Sequence, residues 1–196
     1  WDQRPMTESR LAHELWQVIQ GEDWVLTANT LKEWVHKVWD FNQPYRHVGR
    51  ELGTGTQIGI SIGVALAHKG SGKLVIDLQP DGDLMFDLGA LWMPIKYDIP
   101  MLIVMYNNRA YYNDWAHQIH MAHQRGTDPQ RAYIGMDLEG PPPDFAHIAK
   151  GMGWFAEGPI EDPAEVGPAV KRAIAQVKAG KPALVDAIVW RRGENA

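Results

Sequence analysis

Two short polar motifs follow apolar runs: Asp81-Gly82-Asp83 comes after residues 73–78, and Asn107-Asn108 after residues 101–106. Runs that are apolar on both faces read as buried parallel strands. Residues 84–96 between them read as a crossover helix, so 73–106 is a βαβ unit. In such a unit neighbouring strands end side by side, so Asp81 and Asn108, 27 positions apart (108 − 81), can meet where open α/β sheets bind ligands. Gly82 lets backbone approach an anion, and a helix beginning near Asp83 presents amide donors there. A carboxylate, an amide oxygen and a diphosphate together suit Mg2+ or Ca2+, hard cations that take oxygen ligands. The chemistry implied is metal-bridged diphosphate binding.

The rest of the chain alternates helix-like and strand-like segments, the pattern of an α/β fold with a mainly parallel sheet. Residues 11–19 carry apolar positions at helical spacing behind Thr7 and Ser9, which can cap; 24–27 is a short strand and 31–39 a helix. Residues 53–67 begin glycine-rich and become a small-residue helix, with Gly59, Gly63 and Ala67 four apart so that another backbone can approach. Further on, 145–151 is a helix, 154–157 a strand, 163–179 a helix and 183–189 a last strand. The expected architecture is a three-layer α/β/α fold with a mainly parallel sheet of about six strands. Residues 1–7 read as a linker from a preceding domain, 8–190 as the domain itself and 191–196 as a polar tail.

Composition limits the partners. The 196 residues carry 19 Lys and Arg against 24 Asp and Glu, a net charge of −5, and no basic run suits a phosphate backbone, so nucleic acid is not an expected partner. The absence of cysteine excludes disulfides, thiolate catalysis and cysteine-ligated metal. No apolar run approaches the roughly 20 residues that span a bilayer, which leads to an expectation of a cytoplasmic protein without a membrane partner. Nine Trp and eight Met exceed what one small core needs, so part of them is expected at an interface.

The pairing of Pro80-Asp81-Gly82-Asp83 with Asn107-Asn108-Arg109-Ala110-Tyr111 resembles the thiamin-diphosphate motif of the acetolactate synthase, benzoylformate decarboxylase and benzaldehyde lyase group, in its diphosphate-binding domain. The resemblance covers nearly the whole chain: residues 25–30 are similar to the family's early strand and turn, and 52–59 to the glycine-rich segment under the pyrimidine ring. It implies thiamin diphosphate and Mg2+ as cofactors. Asp81 and Asn108 would give side-chain oxygens to the metal and Ala110 its main-chain carbonyl. Gly82 and Asp83 would meet the diphosphate through backbone amides, with Asn29, Thr30 and Leu31 closing its other side. Thr54 would lie near the aminopyrimidine, and Tyr111, Tyr112 and Trp115 would line the substrate pocket.

The resemblance further implies a lyase, carboligase or decarboxylase acting on 2-oxo acids or related acyl donors. The family's activating glutamate comes from a pyrimidine-binding domain, usually of a neighbouring subunit, and no residue here takes that role. The chain is therefore expected to be half of an active site in a homodimer or tetramer of the full assembly. Three positions depart from the pattern. Pro80 replaces the first glycine of Gly-Asp-Gly. Asp83 places a second carboxylate beside a diphosphate, which is unfavourable unless it faces elsewhere. Thr56, or Ile58 if the alignment slips, stands where the family puts a bulky residue that bends the cofactor.

Other readings stay open. A cofactor-binding or structural subunit without chemistry would keep the same motif. A nucleotide-dependent dehydrogenase would need Gly-x-Gly-x-x-Gly after a strand, and Gly53-Thr54-Gly55 with Gly59 does not have that spacing. His117, His120 and His123 would diverge around a helix rather than converge on a metal. His36 and His47 lie near the cofactor segments and could assist proton transfer.

Overall fold

The computed structural model describes residues 1–49 and 53–191 of the chain. Leu52, at the start of the glycine-rich segment, and the tail beyond Arg191 lie outside the described residues.

Five parallel strands make one sheet in the order β1-β2-β3-β5-β4. They are β1 (Trp24–Leu26), β2 (Leu74–Pro80), β3 (Leu102–Asn107), β4 (Phe155–Ile160) and β5 (Ala183–Ile188). The expectation of about six strands is corrected to five among the described residues. Among the described residues, isolated bridges join Leu26 to His47 on the free edge of β1 and Met6 to Val189 just past the end of β5.

Side chains alternate across the sheet as its period of two requires. On β3, Leu102, Val104 and Tyr106 enter one core, which α1 (Glu8–Ile19), α2 (Trp34–Val38) and α8 (Pro163–Lys178) cover. Ile103 and Met105 enter the other, beneath α3 (Gln57–Ala67), α4 (Asp81–Phe86), α5 (Trp92–Lys96) and α7 (Phe145–Gly151). The three-layer α/β/α arrangement follows. The remaining α-helix, α6 (Tyr112–Arg125), contributes no buried residue.

Local chemistry explains most of the boundaries. Thr7 caps α1, its Oγ1 accepting the Arg10 amide at 3.1 Å. Asp144 and Asp162 cap α7 and α8 in the same way. The crossover between β2 and β3 is not one helix: α4 is followed by a 3-10 turn, Leu88–Leu91, and then α5. Pro94 has no amide to donate and its ring opposes the carbonyl four residues earlier, so a continuous helix through that point is disfavoured. The expected helix over 31–39 is shortened to α2, because Leu31, Lys32 and Glu33 all have positive φ, at 48°, 49° and 72°.

The tryptophans divide between core and surface. Trp24, Trp39 and Trp154 are buried, and Trp39 and Trp154 donate their indole N–H to Ala12 O at 2.8 Å and Leu91 O at 2.6 Å. Trp1 and Trp92 are exposed. Met6, Met101 and Met105 are fully buried. The ridge of Gly59 and Gly63 on α3 has nothing within 4 Å of where a Cβ would stand, so no described residue makes the close approach it permits.

Candidate functional site

The register of β2 and β3 builds the site. Pro80 pairs with Tyr106, so Asp81, just past β2, and Asn107, the last residue of β3, stand side by side at the C-terminal end of the sheet. Asp81 opens α4 directly, with Pro80 as its cap residue, two positions earlier than the sequence pattern suggests. Its carboxylate is almost wholly buried, and Oδ2 accepts the Ala110 backbone N–H at 3.0 Å. The Asn108 Oδ1 accepts that same N–H at 3.0 Å. Two oxygens from separate strands thus converge on one amide, beside the Ala110 main chain.

Burial pushes the Asp81 carboxyl up to about 6, against backbone N–H donors from Gly82, Ala110 and Asn108 that favour its ionised form. A cation in front of it would complete that compensation. Among the described residues no group of three or more His, Cys, Asp or Glu side chains could hold a metal. The oxygens brought together at Asp81 are instead those of one carboxylate and one side-chain amide, with the Ala110 main chain beside them. Such a set is chemically suited to a hard cation that keeps water or phosphate oxygens in its remaining positions. The residues present therefore fit the expected Mg2+ and diphosphate.

Asn107 shapes the loop, a part that the list of expected ligands omitted. Its Nδ2 donates to the buried Asp186 at 3.1 Å, and its Oδ1 accepts the Arg109 amide at 3.0 Å. The second bond holds Arg109 at φ 56° and turns the chain so that Ala110 points back to Asp81. Burial raises the Asp186 carboxyl to about 7, with Asn107 acting in the opposite direction. The signal for Asp186 was present as an acid within the apolar run Ala-Leu-Val-Asp-Ala-Ile.

Gly82 is required by space. A Cβ there would lie 2.7 Å from the Tyr111 ring, which covers it, and Phe86 meets Tyr111 edge to face at 5.4 Å. Asp83 turns its carboxylate to its neighbours: Oδ1 accepts the Gly55 amide at 2.5 Å and Oδ2 accepts Gln79 Nε2 at 3.2 Å. The orientation answers the electrostatic objection to a second acid in this motif.

The turn after β1 stands at the same edge of the sheet. Thr30 is buried and Asn29 half-buried; Asn29 Oδ1 accepts the Leu31 amide at 3.0 Å and Thr30 Oγ1 the Glu33 amide at 3.2 Å. The Leu31 side chain is in the core, so only its backbone can face a ligand. Lys32 Nζ sits 6.0 Å above the Tyr112 ring, which brings this turn and the start of α6 together across the site. Trp115 is half-buried, with Tyr112 and Tyr133 at 6.2 and 6.4 Å and the Arg191 guanidinium 4.7 Å above its ring. Thr54 and Thr56 are exposed on the glycine-rich turn, whereas Ile58 is fully buried and cannot face a ligand.

Of the other candidates, His36 and His47 lie beside the turn after β1, with His47 Nε2 3.5 Å from Ala28 O and His36 Nε2 3.5 Å from Glu33 Oε2. His117, His120 and His123 are exposed along α6. His36 and His47 meet edge to face at 5.9 Å, and burial lowers the His47 pKa. A depression of about 510 Å3, lined by Lys69, Lys73, Leu74, Asp98 and Lys178 among others, lies at the opposite, N-terminal end of the strands.

The family described as thiamine pyrophosphate enzyme, C-terminal TPP binding domain, matches residues 28–187. The chain belongs to this family. It is 31% identical over 135 residues to the "Putative acetolactate synthase large subunit IlvX" of Mycobacterium tuberculosis, covering 67% of this chain and 24% of that protein. It is 30% identical over 113 residues to the sulfoacetaldehyde acetyltransferase of Alcaligenes xylosoxydans xylosoxydans, covering 57% of this chain and 17% of that protein.

Solved structures share the fold. The thiamine diphosphate-dependent 4-hydroxybenzoylformate decarboxylase of Rhodococcus jostii superposes with a TM-score of 0.75 at 22% identity, over 97% of this chain and 33% of that one. Benzoylformate decarboxylase from Polynucleobacter necessarius gives 0.74 at 17% identity, over 96% and 34%. The chain thus spans a quarter or less of these curated relatives and about a third of these solved chains. The family assignment makes thiamin diphosphate the cofactor class, and no helix among the described residues is long and apolar enough to cross a membrane.

Proposed function

We propose that this chain supplies the diphosphate and metal half of the active site of a thiamin-diphosphate- and Mg2+-dependent lyase, carboligase or 2-oxo acid decarboxylase. The observation that carries the reading is the convergence of Asp81 Oδ2 and Asn108 Oδ1 on the Ala110 amide. Asp81, Asn108 and the Ala110 carbonyl would hold Mg2+. The Gly82 and Asp83 amides would meet the diphosphate, with Asn29, Thr30 and the Leu31 backbone on its other side. Thr54 and Thr56 would stand on the pyrimidine side.

Thiamin diphosphate, when bound, adds to a carbonyl and accepts the electron pair released as a C–C bond breaks. This chain anchors the charged end of that molecule and keeps it in place while the bond breaks. Tyr111 would cover Gly82, and Tyr112 and Trp115 would exclude water from the substrate side. The activating glutamate would come from a pyrimidine-binding domain, on the same or a separate polypeptide. Cytoplasmic residence and a homodimer or tetramer of the full assembly belong to the same proposal.

Calorimetry with thiamin diphosphate and Mg2+, on the chain alone and with a pyrimidine-binding partner, tests this reading. Metal-dependent binding in either preparation is the expected result, and binding in neither overturns it. A subunit without chemistry would bind the cofactor yet leave every 2-oxo acid intact when the partner is present. A dehydrogenase would bind nicotinamide nucleotide instead.

A further inference from the structure

We propose that Asp83 is a positioning residue: its carboxylate locks the glycine-rich turn onto the start of α4 and so sets the spacing between the pyrimidine and diphosphate sides of the site. The proposal rests on the cofactor reading given above, and it assigns to the Asp83 side chain a task that the family motif places on its backbone alone.

The two oxygens of Asp83 are committed to different segments. Oδ1 accepts the Gly55 N–H at 2.5 Å, from a residue 28 positions earlier in the chain. Oδ2 accepts Gln79 Nε2 at 3.2 Å, and Gln79 is fully buried on β2, which fixes the carboxylate from the sheet side. A hydrogen bond to a carboxylate is among the stronger kinds, and the Gly55 bond is short. The same helix also limits approach from the opposite direction. A Cβ on Gly55 would lie 2.9 Å from Phe86 Cβ, and Gly55 has φ +79°. The turn can therefore neither move closer to α4, because Phe86 blocks it, nor drift away, because Asp83 holds its amide. Thr54 and Thr56 flank the held residue, so whatever they present to a ligand is placed relative to Asp81 through Asp83.

The lock separates the two ends of the ligand. Loss of the carboxylate frees the turn that faces the pyrimidine side and leaves Asp81, Asn108 and Ala110 in place for the diphosphate. Magnesium pyrophosphate then serves as a probe of the diphosphate end, and thiamin diphosphate with Mg2+ as a probe of both ends. Asp83→Asn is the conservative control: its remaining oxygen can accept from Gly55, and Gln79 can reverse its amide, because Gln79 Oε1 is buried with no other hydrogen-bond partner.

The experiment measures both probes by calorimetry on wild type, Asp83→Ala and Asp83→Asn, in the preparation with the pyrimidine-binding partner, together with hydrogen exchange at the Gly55 amide. In Asp83→Ala the Kd for thiamin diphosphate should rise about tenfold or more, the scale of one hydrogen bond to a charged group, a loss that magnesium pyrophosphate does not share because the substitution keeps the backbone amide of residue 83. Gly55 exchange should accelerate in Asp83→Ala, with Ala110 exchange unchanged, and Asp83→Asn should restore both readouts. Equal losses for the two probes, unaltered Gly55 exchange, or failure of Asp83→Asn to restore them would overturn the proposal. If wild type binds neither probe, the cofactor reading fails, and the Gly55 exchange of the Asp83→Asn and Asp83→Ala pair still decides whether the lock exists.

Discussion

Asp81 and Asn108 share one hydrogen-bond donor: the Ala110 amide lies 3.0 Å from an oxygen of each. The amide does for the two oxygens part of what a cation would do, holding them together although they come from the ends of different strands. A metal site built this way, as proposed above, would have its geometry ready before the ion arrives.

Replacing Asp81 with Ala removes the only carboxylate of the proposed metal site. Metal-dependent affinity for thiamin diphosphate should fall by about a hundredfold or more, as expected on loss of an anionic ligand from such a site. Calorimetry with and without Mg2+ checks this, and retention at wild-type affinity would show the metal to be held elsewhere.

Gly82→Ala places a methyl group 2.7 Å from the Tyr111 ring. The ring must shift, so urea unfolding should show a loss of about 1–3 kcal/mol, the usual cost of overpacking. The double variant Gly82→Ala with Tyr111→Ala should recover part of that loss, since the clash is then gone; equal or greater destabilisation would mean that the glycine serves some other need.

Asp77 offers a test by pH. It is fully buried on β2, and burial raises its pKa from 3.8 to about 7 although Gln57 Nε2 donates to it at 2.6 Å. The folded chain therefore holds this proton where the unfolded chain has released it. The contribution of this group to stability is full below pH 3.8 and is lost as the pH rises to about 7. Asp77→Asn should flatten the fall in stability over that window by one proton's worth, read from urea midpoints at several pH values. Asp81 and Asp186, raised to about 6 and about 7, have the same sign and keep part of the slope in the variant.

Trp115 stands apart from the metal loop, among Tyr112, Tyr133 and Arg191. On the proposed reading of a 2-oxo acid as substrate, Trp115→Ala should raise KM for it by about tenfold and leave thiamin diphosphate affinity within about twofold, as for a residue that binds substrate only. A matching fall in cofactor affinity would place Trp115 on the cofactor instead.

Much of this site was legible before any coordinates. The apolar runs at 73–78 and 101–106 read as buried parallel strands, and the nearness of Asp81 and Asn108 at their ends follows from that topology. The direction of the Asp83 carboxylate was not legible. It depends on Gly55, which no local periodicity links to it. Leu31, Lys32 and Glu33 read as helix by pattern, yet the side chains of Asn29 and Thr30 take the backbone amides of Leu31 and Glu33 and hold a left-handed turn. Tertiary contacts outweigh propensity there.

The amino-acid order alone determined the layered α/β plan and put Asp81 and Asn108 at the ends of neighbouring strands, because strand periodicity and motif spacing are local properties of the chain, and its resemblance to a known family gave the cofactor class. The tertiary structure decided that the sheet has five strands, that Asn107 rests on Asp186, and that Asp83 turns to the glycine-rich segment. Those outcomes depend on hydrogen bonds between residues far apart in the chain, whose partners are selected only when the sheet register brings them within reach.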